Sequence, residues 1–241
     1  MTRDYTAYWN DLTPSHANHP GNRFRYDLII RELRRLGIRP HSIVDCGCGD
    51  GSLLREMTKN VPCQEAYGID IAANVPASRP GSPFHFEEQD LGNPIRKSLH
   101  GLFDLVLCSE VIEHVQNDDD VLMNLASLAA PQGIVILTTQ TGRIYKTEQY
   151  LGHIRHYALM DLIRRVEAAG LRVRCAYQCG WPWLNLQKLG AHVFQKTVQK
   201  QIVQATELSL TVRLLFAMLV HLYRFSSRSS GPQLVIVADK L

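Results

Sequence analysis

The chain has 241 residues, enough for one large domain or a domain carrying a substantial insert. Its apolar fraction of 45% can build a sizeable core, and its net charge of +3 gives no reason to expect nucleic acid as a partner. The six cysteines are scattered through apolar and glycine-rich segments, unlike a disulfide framework, and their spacing does not suit a zinc site.

Residues 1 to about 24 are aromatic and polar, with Pro14, Pro20 and Gly21 as breakers. No apolar signal core follows Met1, so a cytoplasmic location is expected. Leu28, Ile29, Leu33 and Leu36 share one helical face, which Gly37 and Pro40 stop. Strands and helices then alternate. Ser42–Asp45 reads as a buried strand, Ser52–Lys59 as a helix and Ala66–Asp70 as a second strand. A loop at Pro76–Pro83 precedes a short strand, Phe84–Glu87, and a strongly apolar one, Phe103–Cys108. Asp118–Ala130 is an amphipathic helix closed by Pro131 and Gly133, and Ile134–Thr138 is a buried strand. Helix Ala158–Ala169, strand Leu171–Ala176 and a last strand, Gln233–Ala238, complete the series. Such alternation implies a parallel sheet covered on both faces. The pattern divides the chain into a cap and first helix (1–40), a core (41–179), a helical insert (180–231) and a final core strand (232–241).

The segment Ile43-Val44-Asp45-Cys46-Gly47-Cys48-Gly49-Asp50-Gly51 starts on a strand and ends on a helix. Its glycines let the backbone turn sharply and approach a ligand. The second strand ends in Asp70, placed to accept the hydroxyls of a ribose. The spacing is Gly-x-Gly-x-Gly, not the Gly-x-Gly-x-x-Gly of dinucleotide sites, and no Walker lysine is present. Asp45 and Asp50 would repel a pyrophosphate but tolerate a cationic amine and a sulfonium.

These features resemble the class I S-adenosylmethionine-dependent methyltransferases, over roughly residues 20–178 and the final strand. The resemblance implies a Rossmann-like, seven-stranded, mostly parallel α/β sheet with helices on both faces, an antiparallel strand near the end and a helical insert before it. It implies S-adenosylmethionine as cofactor. Asp45, Cys46, Gly47, Cys48 and Gly49 would form the glycine bend, with Asp70 and Ile71 at the ribose. Asp90 and Leu91 would meet the adenine, and Ser109 and Glu110 the methionine part. Arg25 would grip the cofactor's carboxylate. Leu128–Gly133 resembles the turn into the fifth strand, with Gln132 where glycine is common.

On the acceptor side, Leu151–Tyr157 resembles a segment of a bacterial subgroup linked to glycan, lipid and natural-product pathways. His153 and His156 are candidate general bases and Arg155 a candidate anchor for an anionic substrate; the bland alternative is that they fasten a loop over the sheet. Glu110-Val111-Ile112-Glu113-His114 is similar to a pattern that binds a divalent ion in small-RNA 2′-O-methyltransferases and ubiquinone-pathway O-methyltransferases. The reading preferred here is that Glu113 and His114 instead pin the next segment and no metal is held. Trp181–Trp183 and the insert lie where a substrate pocket is often shaped. Within it, Leu208–Phe225 is too short and too interrupted to span a bilayer; it could be a lid, a homodimer surface or a peripheral membrane contact. The function expected is O-methylation of a small molecule, glycan or lipid-linked intermediate. The competitors are a metal-dependent RNA-end 2′-O-methyltransferase and a non-catalytic cofactor-binding scaffold.

Overall fold

The computed structural model describes residues 19–71, 84–198 and 209–241. Residues 1–18 of the expected cap, the expected loop at Pro76–Pro83 and residues 199–208 of the insert lie outside them. Pro20 and Gly21 do not break a helix but open one, α1 (Pro20–Leu36), two turns before the apolar periodicity begins. Proline has no amide hydrogen, and the first turn of a helix has no internal acceptor for one. Helix α1 ends at Gly37, left-handed at φ 67°, as the sequence suggested.

The core follows in order: β1 (Ser42–Cys46), α2 (Ser52–Asn60), β2 (Glu65–Asp70), β3 (Phe84–Glu88), β4 (Phe103–Ser109), α3 (Asp118–Leu128), β5 (Ala129–Gln140), α4 (Lys146–Leu151), α5 (Leu159–Ala168) and β6 (Leu171–Cys179). The insert supplies α6 (Trp183–Val193), α7 (Gln195–Val198) and α8 (Leu210–Leu222), and β7 (Gln233–Lys240) closes the series.

Helix α3 stops earlier than its composition suggested, and β5 already begins at Ala129. Extended pairing with β4 captures Ala129, and a register shift follows before Ile134. Gln132 bridges that irregularity at φ 64°, and Gly133 has no room for a side chain: a Cβ would lie 2.8 Å from the carbonyl oxygens of Ala130 and Phe103. Helix α4 was not foreseen. It is a single short turn system, built by a capping box in which Glu148 accepts from the Tyr145 amide.

The seven strands are ordered β3-β2-β1-β4-β5-β7-β6, with β1 to β5 mutually parallel and β7 antiparallel to both neighbours. Alternate residues feed opposite layers. Val44, Val106 and Cys108 face α3 and α5, while Ile43, Leu105 and Leu107 face α1 and α2. Truncating Leu107 to Ala would cost about 2–5 kcal/mol. Because β1 pairs with β2 on one side and β4 on the other, the chain reverses its direction of travel across the sheet there. Such a reversal leaves a crevice beyond the carboxyl ends of the strands.

Candidate active site

The segments after β1, β2 and β4 converge on that crevice. Gly47 and Cys48 both donate their amides to the Ile69 carbonyl, tying the glycine bend to the end of β2. Gly47 sits at φ 79°, and a Cβ there would lie 2.2 Å from Val111 Cγ2, so only glycine fits the bend. Asp50 Oδ1 accepts the Ser52 amide at 2.9 Å and so serves the start of α2. Asp70 Oδ2 accepts the Gly49 amide at 2.7 Å.

A cavity of about 360 Å³ occupies the crevice, and every cofactor residue expected from the sequence lines it except Cys46 and Gly49. Those two stand behind the lining. Cys46 has its side chain sealed in the core, alongside Val44 and Cys108, because alternation on β1 turns it away from the strand tip. Gly49 contributes through the backbone hydrogen bond that holds Asp70.

Three carboxylates crowd the bend. Burial, reinforced by Asp70 and then Asp50, pushes the Asp45 carboxyl up to about 8. A buried anion with like charges around it is relieved by a cationic ligand. This donor set, together with a backbone cradle that excludes side chains, fits S-adenosylmethionine. Asp90 lines the cavity, but its oxygens already accept from the Gly92 amide at 2.8 Å and the Asn93 side chain at 3.0 Å. It therefore meets a ligand with its orientation fixed by its own turn.

Glu110 stands at φ 59°, a left-handed conformation that costs energy for a residue with a side chain. Polar partners hold it there: Gln140 donates to Oε2 at 2.7 Å, Gln233 donates to Oε1 at 2.8 Å and Arg25 lies 3.5 Å from Oε2. Burial alone would raise its pKa, but Arg25 and the two glutamines outweigh it and keep the carboxyl below its ordinary value. Arg25 also donates to Asn22, so the arginine expected to grip a ligand already spans α1 and β4.

His153 lines the cavity, whereas His156 stands behind it. His156 Nδ1 is 3.1 Å from the Gly142 carbonyl, and its Nε2 is 3.1 Å from His153 Nδ1. A carbonyl only accepts, so His156 Nδ1 carries hydrogen. Neutral His156 then accepts at Nε2, His153 donates from Nδ1, and the lone pair of His153 is left at Nε2. Burial, then the neighbouring His114 and His156, hold the His153 pKa down to about 2, so the ring is neutral. Arg155 does not face the cavity: it is bound to Asp118 and to the Gln116 carbonyl at 2.8 Å, so its expected role as a substrate anchor gives way to fastening the loop.

Glu113 is fully buried; Oε2 accepts from Thr139 Oγ1 at 2.8 Å, while Oε1 is without a hydrogen-bond partner. Its backbone carbonyl accepts from the Ile154 amide at 2.9 Å, which ties this segment to the Leu151–Tyr157 loop. Burial and Glu110 push its carboxyl well above the usual range. Glu113, His114 and His153 also bring one ligand atom each within 4.8 Å of one another, as do Glu148, His153 and His156.

Sequence reasoning missed Lys188, Glu148, Gln140 and Gln233. Lys188 of α6 reaches into the cavity wall, with Nζ 2.7 Å from Glu148 Oε1 and donating to Gln140 Oε1 at 2.7 Å. The sole hint of this was a cation on a mostly apolar stretch, and no local pattern pairs residues 40 positions apart.

Residues 22–176 match the family model of the methyltransferase domain. Among curated relatives, the ubiquinone biosynthesis O-methyltransferase of Rickettsia bellii is 27% identical over 143 residues, covering 55% of this chain and 57% of the relative. The corresponding protein of Rickettsia canadensis is 30% identical over 138 residues, covering 55% and 57%. The match thus spans just over half the length of these relatives. A solved geranyl diphosphate methyltransferase, in complex with its diphosphate and sinefungin, superposes with a TM-score of 0.58 at 15% identity, covering 90% of this chain and 77% of that one. Haemonchus contortus phosphoethanolamine N-methyltransferase 2 in complex with S-adenosyl-L-methionine gives 0.55 at 14% identity, covering 92% and 57%. These likenesses show the shared fold. The chain belongs to the methyltransferase-domain family, the class I S-adenosylmethionine-dependent methyltransferases.

Proposed function

We propose that this chain transfers a methyl group from S-adenosylmethionine to an oxygen of a small molecule, glycan or lipid-linked intermediate in the cytoplasm. The observation that carries the reading is one cavity faced by the Asp45–Asp70 acids, the Gly47 bend and the His153 ring. When bound, the cofactor would supply an electrophilic methyl group on a sulfonium, which the acceptor oxygen attacks in line as the neutral thioether leaves. Asp70 accepts from the ribose hydroxyls, Asp90 from the adenine amine, and Asp45 offsets the positive charge. Arg25, steadied by Glu110, meets the carboxylate end. His153 offers its Nε2 lone pair to the acceptor hydroxyl; with its pKa held at about 2 it does not deprotonate the hydroxyl beforehand but takes the proton as methyl transfer makes the oxygen strongly acidic, with His156 fixing the tautomer. Oxygen as the acceptor atom is supported by the imidazole pair and by relatives named as O-methyltransferases.

Isothermal titration with S-adenosylmethionine tests the foundation. Asp70→Ala should weaken binding by about 10-fold or more, the value of lost hydrogen bonds to a charged group. Unchanged affinity would remove Asp70 from the ribose site. Tritium transfer into glycan, lipid and small-molecule fractions tests turnover; binding without any transfer would favour the scaffold reading.

A second reading is favoured by Glu113 Oε1, a buried carboxylate oxygen without a hydrogen-bond partner beside two imidazoles. The donor set, one carboxylate and two imidazoles, suits a divalent cation. Glu113, His114 and His153 would hold it, and it would supply Lewis-acid polarisation of the acceptor hydroxyl. Elemental analysis of the purified chain and activity after EDTA treatment decide this: a metal-free chain whose turnover ignores EDTA and added magnesium or manganese would end it.

A further inference from the structure

Helix α8 is attached to the body by one face. Val212, Phe216 and Tyr223 are buried; the Tyr223 ring lies 5.0 Å from Phe24 and the Phe216 ring 5.5 Å from His19. The opposite face presents Leu210, Leu214, Leu215 and Met218, each between 44% and 72% exposed. At 100° per residue, Leu210, Leu214 and Met218 form one stripe, and Arg213 and Arg224 lie together along one edge of its arc. Helix α6 repeats the arrangement, leaving Leu186, Leu189, Val193 and Phe194 exposed at helical spacing. The two helices meet at His19, which contacts both Phe216 and Gln187 and lines the cavity.

Charge is divided along with exposure. Residues 180–231 carry six lysines and arginines and one acid, a net +5 against +3 for the whole chain; Lys188 is turned inward against Glu148, which leaves five basic residues to one acid. We infer that the α6–α8 face is a docking surface for an anionic lipid bilayer. The exposed leucines enter the boundary between headgroups and acyl chains, and Arg213 and Arg224 stay at the phosphates. No described helix is long and apolar enough to cross a membrane, so the contact is peripheral. A second copy suits this face poorly: an antiparallel two-fold contact centred near Met218 would bring Arg213 of one copy to Arg224 of the other, and Glu207 is the one acid in residues 180–231. The inference rests on the surface alone and does not depend on the identity of the methyl acceptor.

Co-sedimentation of the full chain with lipid vesicles is the test. Binding to phosphatidylglycerol vesicles should exceed binding to phosphatidylcholine vesicles by about 30-fold, the value of two basic side chains at an anionic surface, and should weaken in 0.5 M salt. Leu214→Glu with Met218→Glu should abolish sedimentation, and Arg213→Ala with Arg224→Ala should reduce it to the phosphatidylcholine level. Circular dichroism and S-adenosylmethionine affinity should stay unchanged in both, which separates lost docking from lost folding. Three outcomes overturn the inference: wild-type chain that ignores phosphatidylglycerol, sedimentation that survives the double glutamate variant, or light scattering that finds a dimer split by that variant with no vesicle binding. A monomer indifferent to both vesicles would point instead to residues 1–18 as the cover.

Discussion

Asp45 concentrates the electrostatics of the site in one carboxyl. Its pKa is raised to about 8 by burial, Asp70 and Asp50, so near pH 7 it is largely protonated in the free chain. A cationic ligand favours the ionised form and therefore binds more tightly as pH rises toward 8. Titration calorimetry between pH 6 and 8 should show affinity for S-adenosylmethionine increasing, and Asp45→Asn should flatten the rise. A profile that is flat in the wild type would remove Asp45 from contact with the ligand's charge. Gln132 makes a separate case away from the site. It is exposed and left-handed at φ 64°, a conformation glycine adopts without a Cβ penalty. Gln132→Gly should stabilise the chain by about 0.5–1 kcal/mol, the left-handed strain removed less the added flexibility of the unfolded chain. Thermal unfolding would read this as a small rise in midpoint; a fall would mean that the glutamine side chain contributes more than its strain costs.

Among the elements, α6 is fastened beside the cavity by a buried cation as well as by the packing of Leu184. Lys188 and Glu148 are 12% and 9% exposed, and removing one partner from such a pair costs about 3–5 kcal/mol, because the other charge is left without compensation. Lys188→Ala should speed amide exchange in α6 while β1, β4 and β5 stay protected. Equal protection of α6 in both chains would show that apolar packing through Leu184 holds the helix. This clasp also marks where sequence reading stopped. Strand ends, the glycine bend and the acids after β1 and β2 were legible because each depends on a few neighbouring residues. The early start of β5 was not, since pairing with β4 overrode the breaker signals of Pro131 and Gly133. Glu110 was legible as a cavity residue, but its glutamine partners were not: Gln140 and Gln233 come from strands that only the finished sheet makes adjacent. Arg155 and His153 are two residues apart, yet only the fold reveals that one fastens the loop and the other lines the cavity.

For the whole molecule, the cavity lies between the sheet's strand ends and the insert. The segments after β1, β2 and β4 line one side of the cavity, and the insert after β6 contributes Leu184, Gln187 and Lys188 to its wall and an apolar outer face. Exchanging exposed residues of α8 should alter where the chain partitions without altering the cradle. Strand β7 has a consequence of its own. It lies between β5 and β6, and Gln233 at its start reaches Glu110. During synthesis, β6 has no neighbour to pair with until residues 233–240 leave the ribosome, and Glu110 lacks one of its donors for the same interval. A nascent chain arrested short of residue 233 should therefore expose the edges of β5 and β6 together, and release of those final residues should close the sheet and finish the site in one event.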